Sequence, residues 1–294
     1  MRNNIQGTGV ALVTPFNRKK EIDFDALGRV IDYVIAGGAD YLVALGTTAE
    51  TPTLTPNERD EVARYIREKN AKRLPLVLGI GGNSTAEVMK AIDRCDLDDV
   101  LAILTVTPYY NRPSQEGLYQ HYKAVAEASP KPIILYNVPS RTGVNLTAET
   151  TLRLAHDIEN IVAVKEASGS VAQMSYILRD KPEGFMVISG DDNMALPLIA
   201  LGGDGVISVA ANAFPEQVCR MVKLCLAGDF VSASQIQLHL LECIETLFCE
   251  GNPVGIKAAM ALKGLAENEL RLPLVPCTEG LCERLKNLIE KYNL

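Results

Sequence analysis

No run of this 294-residue sequence approaches the eighteen or so consecutive apolar residues that a membrane-spanning helix needs. The first ten residues, Met1 to Val10, lack the basic-then-apolar organisation of a secretory signal peptide, so a cytoplasmic location is expected. A basic excess is also missing. The formal net charge of −7 favours solubility and argues against a general nucleic-acid surface. Histidine is scarce: His121, His156 and His239 lie far apart in no metal-ligand spacing, and no metal is expected. The seven cysteines (Cys95, Cys219, Cys225, Cys243, Cys249, Cys277, Cys282) are odd in number and contain no Cys-x-x-Cys pair. Most fall at core-like positions of helical patterns, which predicts reduced, buried thiols. Nor does a Gly-x-Gly-x-x-Gly follow the first apolar run, which weakens the case for a doubly wound open sheet.

What is present is regular alternation. Short apolar runs at 9–13, 41–45, 76–80, 101–106, 132–136, 161–165, 185–189 and 205–209 read as strands separated by amphipathic segments. The first helix should start near Asp23, bury Phe24, Leu27, Val30, Ile31 and Val34 on one face, and stop at Gly37-Gly38. Thr55, with Pro56 after it and Glu58 three residues on, predicts a capped helix start. Ser84-Thr85-Ala86-Glu87 predicts a second capping box, and Thr147 another cap. Eight strand–helix units in roughly 225 residues indicate an α/β chain folded as a (β/α)8 TIM barrel. The barrel is assigned to residues 1–229, and a helical appendage to 230–294, where apolar stripes run over 230–249, 254–265 and 279–292.

The sixth run, Ile161-Val162-Ala163-Val164, ends in Lys165. Burial disfavours an ammonium, so a lysine there should have a lowered pKa, and a partly deprotonated amine can attack a carbonyl to form a Schiff base. The ordinary alternative is that Lys165 leaves the strand end and reaches water along its aliphatic stem. Lys257, in Gly255-Ile256-Lys257-Ala258, is the only other lysine in comparably apolar company, and ranks second because it falls in the helical tail. Other unusual residues gather at strand ends: Thr47 and Thr48 beside Gly46, Tyr109 and Tyr110, Tyr136 and Arg141, and Ser189-Gly190-Asp191-Asp192. Each has a plain reading as turn, packing, solvated or cap residue. Together, at the carboxyl ends of barrel strands, they supply an amine, phenols, hydroxyls and a guanidinium with no phosphate cradle. That set suits a lysine-dependent aldolase or lyase acting on a small keto acid.

The same residues carry a resemblance. Gly46-Thr47-Thr48-Ala49-Glu50, Thr107-Pro108-Tyr109-Tyr110-Asn111-Arg112-Pro113, Tyr136-Asn137-Val138-Pro139-Ser140-Arg141-Thr142-Gly143 and Val164-Lys165-Glu166-Ala167-Ser168-Gly169 occur in order. With Gly205-Val206-Ile207-Ser208, Asn252-Pro253 and Arg271-Leu272-Pro273, they resemble the dihydrodipicolinate synthase / N-acetylneuraminate lyase family, and its synthase branch in particular, over essentially the whole chain. The resemblance implies condensation of pyruvate with L-aspartate-4-semialdehyde, the committed step toward diaminopimelate and lysine. It implies an imine between Lys165 and pyruvate, and no separate cofactor. Tyr136 would act as general acid/base, linked to Thr47 and to Tyr110 reaching in from a neighbouring subunit. Thr48 would hold the pyruvate carboxylate, Arg141 the semialdehyde carboxylate, and Gly190 and the Ile207 carbonyl would complete the pocket. It also implies a homotetramer built as a dimer of dimers.

Arg141 separates the branches, because a small carboxylate aldehyde suits a guanidinium whereas the polyol substrates of sialic-acid and sugar-acid lyases do not. Those lyases, and a non-catalytic small-molecule-binding paralogue, are the alternatives. Ala49 stands where glycine is commoner. An allosteric lysine site implied by the resemblance matches at Asn83, Glu87 and Tyr109, with Thr51 in place of serine. Pro56 and Arg59 replace histidines there, and a guanidinium near bound ammonium groups costs affinity, so lysine inhibition is expected to be weak or absent.

Overall fold

Strands that are apolar on both faces need cover on both, and a closed parallel sheet ringed by helices supplies it. The computed structural model describes residues 5–294, so the Met1–Asn4 part of the leader reading lies outside it. Its strands are β1 Gly7–Ala11, β2 Tyr41–Ala44, β3 Leu76–Gly79, β4 Val100–Val106, β5 Ile133–Asn137, β6 Ile161–Glu166, β7 Met186–Ser189 and β8 Gly205–Ser208. They close in sequence order, with β1 pairing to β8 in parallel. The helices α1 Phe24–Ala36, α2 Pro56–Asn70, α3 Thr85–Arg94, α4 Gln115–Ala128, α5 Ala148–Asp157, α6 Val171–Asp180, α7 Ala195–Ala200 and α8 Pro215–Leu226 follow the eight strands in turn. The tail adds α9 Phe230–Phe248, α10 Val254–Leu262 and α11 Glu279–Tyr292.

Strand ends move by one or two residues from the sequence expectation. β1 starts at Gly7 rather than residue 9 because the pairing Gly7↔Gly205 with β8 sets its start. Period-two alternation divides the core. Tyr41, Val43, Val77, Leu104, Ile134, Ala163 and Ile188 fill the barrel interior. Val10, Leu42, Leu78, Ile103, Leu135 and Val164 face outward onto the helices. The tail does not form a core of its own: Ala233, Leu240, Ile244, Leu247, Ile256 and Met260 belong to the same outer layer. No helix among the described residues is long and apolar enough to cross a membrane.

Local capping follows the sequence at three of four places. Asp23 accepts from Ala26 N, Thr147 accepts from Thr150 N, and Thr55 with Glu58 forms a complete capping box. The box expected at Ser84 does not form, since its side chain makes no cap bond. Glu87 instead pairs with Lys90 one turn on, and Thr85 bonds His121. The cysteine expectation also needs correction. All seven thiols are free, but only Cys219, Cys225 and Cys243 are buried, and Cys249 is exposed. Burial pushes Cys219 and Cys243 up to about 12 and Cys225 up to about 11.

His121 lies in α4 with 5 % of its surface exposed, its Nδ1 2.9 Å from the Thr85 hydroxyl and its Nε2 without a partner among the described residues. Desolvation lowers its pKa from 6.5 to about 4. Between those values the unfolded chain binds a proton that the folded chain does not, so this residue makes stability fall as pH drops. The full effect is about 3 kcal/mol, complete near pH 4. Urea unfolding of His121→Gln should show a shallower loss of stability between pH 6.5 and 4 than the wild type. Equal slopes would remove His121 as a source of the acid sensitivity.

Candidate active site

At the carboxyl end of the barrel, β5 and β6 run side by side in a register that pairs Tyr136 with Lys165 and Asn137 with Glu166. Alternation then sorts the four side chains. Tyr136 and Lys165 turn inward, where Lys165 is 5 % exposed and its Nζ sits 4.4 Å from the centre of the Tyr136 ring. Asn137 and Glu166 turn toward the helices. Glu166, fully buried, accepts from Asn137 Nδ2 at 3.0 Å, Gln173 Nε2 at 3.0 Å and Ser168 N at 2.6 Å. Buried carboxylates persist where such donors converge, and this one braces both strand ends behind the lysine and the phenol.

The inward groups open on a cavity of about 430 Å³ lined by Thr47, Thr48, Tyr136, Arg141, Lys165, Gly190, Asn193, Glu245, Cys249 and Asn252. Gly190 is required sterically: a Cβ on it would lie 2.7 Å from the Ala167 Cβ and 3.0 Å from the Lys165 Cε. Thr47 and Thr48 belong to a single 3₁₀ turn, Thr47–Ala49, beyond β2. Thr51 ties that turn back by donating to the Gly46 carbonyl at 2.9 Å. Arg141, exposed at the rim, donates from Nη2 to the Asn252 carbonyl at 3.2 Å. The two aspartates after β7 serve the backbone. Asp191 accepts from Asn193 N, and the buried Asp192 accepts from the Ser208 hydroxyl and from Val209 and Ala210 N. Burial raises the Asp192 carboxyl above the usual range.

Two of the expected residues do not line this cavity. Ile207 is fully buried within the barrel interior. Tyr110 is 89 % exposed, held outward with φ of 72° in the left-handed region. A second cavity of about 440 Å³ shares Thr47, Tyr136, Arg141 and Asn252 with the first and continues past Thr51, Arg59 and Tyr109 to Pro273 and Leu274. Of the five residues grouped as an effector site, Thr51, Arg59 and Tyr109 line this cavity; Asn83 and Glu87 do not.

Lys257 has a different job from Lys165. With its side chain 1 % exposed, it forms an ion pair with the fully buried Glu50 and donates to the Glu269 carbonyl at 2.9 Å. Burial lowers its pKa to about 8, against the opposing pull of Glu50. The other Glu50 oxygen accepts from Arg271 N at 3.1 Å, so this carboxylate bolts the tail to the residue following the Thr47–Ala49 turn. A lysine committed to such a pair is not a free nucleophile.

Sequence reasoning missed Asn252 as a site residue. Its partner Thr48 is 204 residues away, and no local pattern marks a contact of that kind. The Asn137–Glu166 brace was missed too, although the period-two alternation of a strand ending in Lys165-Glu166 gives part of it.

Comparison with known proteins identifies the family. The model of the dihydrodipicolinate synthetase family matches residues 4–292. A 4-hydroxy-tetrahydrodipicolinate synthase of Phocaeicola vulgatus is 50 % identical over 294 residues, 100 % of this chain and 99 % of that one. The solved dihydrodipicolinate synthase of Aquifex aeolicus superposes with a TM-score of 0.95 at 41 % identity, covering 99 % of each chain. A structure described as a monomeric dihydrodipicolinate synthase variant gives 0.97 at 38 % identity, over 100 % of this chain and 98 % of that one.

Proposed function

The chain belongs to the dihydrodipicolinate synthetase family, and on that premise we propose that it condenses pyruvate with L-aspartate-4-semialdehyde through an imine on Lys165. The observation that carries this reading is the buried amine of Lys165 beside the Tyr136 ring, in a cavity that also presents Thr47, Thr48 and Arg141. A desolvated amine is a better nucleophile than a hydrated ammonium. Lys165 Nζ adds to C2 of pyruvate and water leaves, giving the imine. Loss of a C3 proton produces an enamine, which attacks the aldehyde carbon of the second substrate. Tyr136, in a relay with Thr47 and Tyr110 of the partner subunit, moves protons, including the one that neutralises the new alkoxide. The substrate's own amine then attacks C2, closing the ring and releasing Lys165. The protonated imine is the electron sink, so the reaction uses no metal and no separate cofactor.

Thr48 holds the pyruvate carboxylate, largely through its backbone amide, and Arg141 the semialdehyde carboxylate, for which a forked guanidinium is suited. Gly190 leaves room beside the lysine stem, and the Ile207 carbonyl completes the floor. The outward Tyr110 fits a role in a neighbouring active site, which requires at least a dimer and suits a tetramer of two dimers. We place the reaction in the cytoplasm, as a step of diaminopimelate and lysine synthesis.

Borohydride reduction in the presence of pyruvate, followed by peptide mass mapping, tests the reading. A pyruvate-derived adduct on Lys165, with consumption of the semialdehyde in the unreduced enzyme, is expected. No adduct on the folded protein would overturn it, and an adduct on Lys257 would misplace the active site. At the Thr51, Arg59, Asn83, Glu87 and Tyr109 site, a lysine titration should give weak or no inhibition. Half-inhibition well below millimolar would contradict the argument from Arg59.

A further inference from the structure

Asn252 lies in the short loop between α9 and α10, 8 % exposed, on the wall of the catalytic cavity. Its Nδ2 donates to the Thr48 hydroxyl at 3.0 Å, and its backbone carbonyl accepts from Arg141 Nη2 at 3.2 Å. Its Oδ1 is buried and has no partner among the described residues. Leaving a buried acceptor unpaired costs stability, so the carboxamide is not there for the strength of the fold. What it has is one directed N–H.

A threonine hydroxyl carries one proton and two lone pairs. The Asn252 amide occupies a lone pair of the Thr48 oxygen, and among the described residues that hydroxyl donates to nothing. Its proton is therefore left for the cavity side. We propose that Asn252 is a positioning residue that polarises Thr48 into a hydrogen-bond donor toward the carboxylate of the keto acid. Its carbonyl meanwhile parks the Arg141 side chain at the rim for the second substrate. The inference rests on the reading of Thr48 as the holder of the pyruvate carboxylate, to which it adds the direction of the hydroxyl and the residue that sets it.

The test is the pyruvate concentration for half-maximal borohydride trapping on Lys165, measured for Asn252→Ala, Asn252→Asp and Thr48→Val and for the Ala/Val double variant. Asn252→Ala should raise it about tenfold, the weight of one hydrogen bond to a charged group. Turnover at saturating pyruvate should change much less. Asn252→Asp should raise it further than Asn252→Ala, because a carboxylate accepts the Thr48 proton and turns lone pairs toward the pyruvate carboxylate. In the Thr48→Val background the effect of Asn252→Ala should vanish, an outcome that loosened packing would not produce. Asn252→Ser replaces the alanine variant if that protein does not fold. An unchanged half-saturation in Asn252→Ala, an equal loss with and without the Thr48 hydroxyl, or an aspartate that works as well as asparagine would each overturn the inference. In those cases the wild type still forms its Lys165 adduct. Absence of that adduct in the wild type would overturn the proposed function itself.

Discussion

Lys165→Met lowers turnover by on the order of 10⁴-fold or more, the scale on which enzymes respond to loss of a nucleophile, while leaving the fold intact. The reason is chemical. No other side chain lining the cavity can form an imine, since the remaining polar lining groups are hydroxyls, a phenol, amides, an arginine, two carboxylates and the Cys249 thiol. Methionine is close to lysine in length and wholly apolar, so it fills the space between the Tyr136 ring and the Gly190 backbone without an amine to desolvate. The melting temperature of the variant should therefore match or exceed that of the wild type, because burying an amine costs desolvation that a thioether does not. Steady-state kinetics with both substrates and a thermal melt check the two halves together. Residual turnover within about a hundredfold of wild type would mean that a different amine carries the chemistry.

Lys257→Met has the opposite signature: large loss of stability, with activity lost only through it. Glu50 and Lys257 have side chains 0 % and 1 % exposed, and among the described residues the lysine has no other acidic partner. Removing it leaves a carboxylate sealed in the protein, with Arg271 N as its remaining donor. Breaking a buried pair from one side costs about 3–5 kcal/mol, whereas replacing both partners with uncharged groups is often close to neutral. Urea denaturation should thus find Lys257→Met far less stable than wild type and the Lys257→Met/Glu50→Gln protein substantially restored. If the single variant is as stable as the wild type, the pair is not the bolt between the tail and the Thr47–Ala49 turn. Because Glu50 directly follows that turn, the double variant also reports on function. A restored fold with poor pyruvate binding would show that the ion pair sets the position of Thr48 as well as holding the tail.

The two lysines show where reading the chain succeeds and where it stops. Both stand in apolar company in the sequence, and Lys165 ranks first only because it ends a strand. In the folded protein the distinction is electrostatic: Lys257 meets Glu50, 207 residues away, and Lys165 meets a phenol ring and open space. Ser84 makes the same point on a smaller scale. Its capping box satisfies the local pattern, yet Glu87 finds Lys90 and the box does not close. Tyr110 reads as one of a pair of strand-end tyrosines, but with its positive φ it stands exposed, while Tyr109 lines the second cavity.

The barrel, its eight strands and their order were legible in the sequence, because period-two and period-3.6 patterning and cap residues act over a few positions. So was the gathering of Thr47, Thr48, Tyr136, Arg141 and Lys165, since parallel strands joined in order must present their carboxyl ends at one mouth. Only the tertiary structure decided which lysine is paired with a carboxylate, which cysteines are buried, that Glu166 braces the ends of β5 and β6, and that Asn252 reaches Thr48. Those outcomes depend on partners brought together across long stretches of chain. Contacts of that kind leave no periodic trace in the segments that make them.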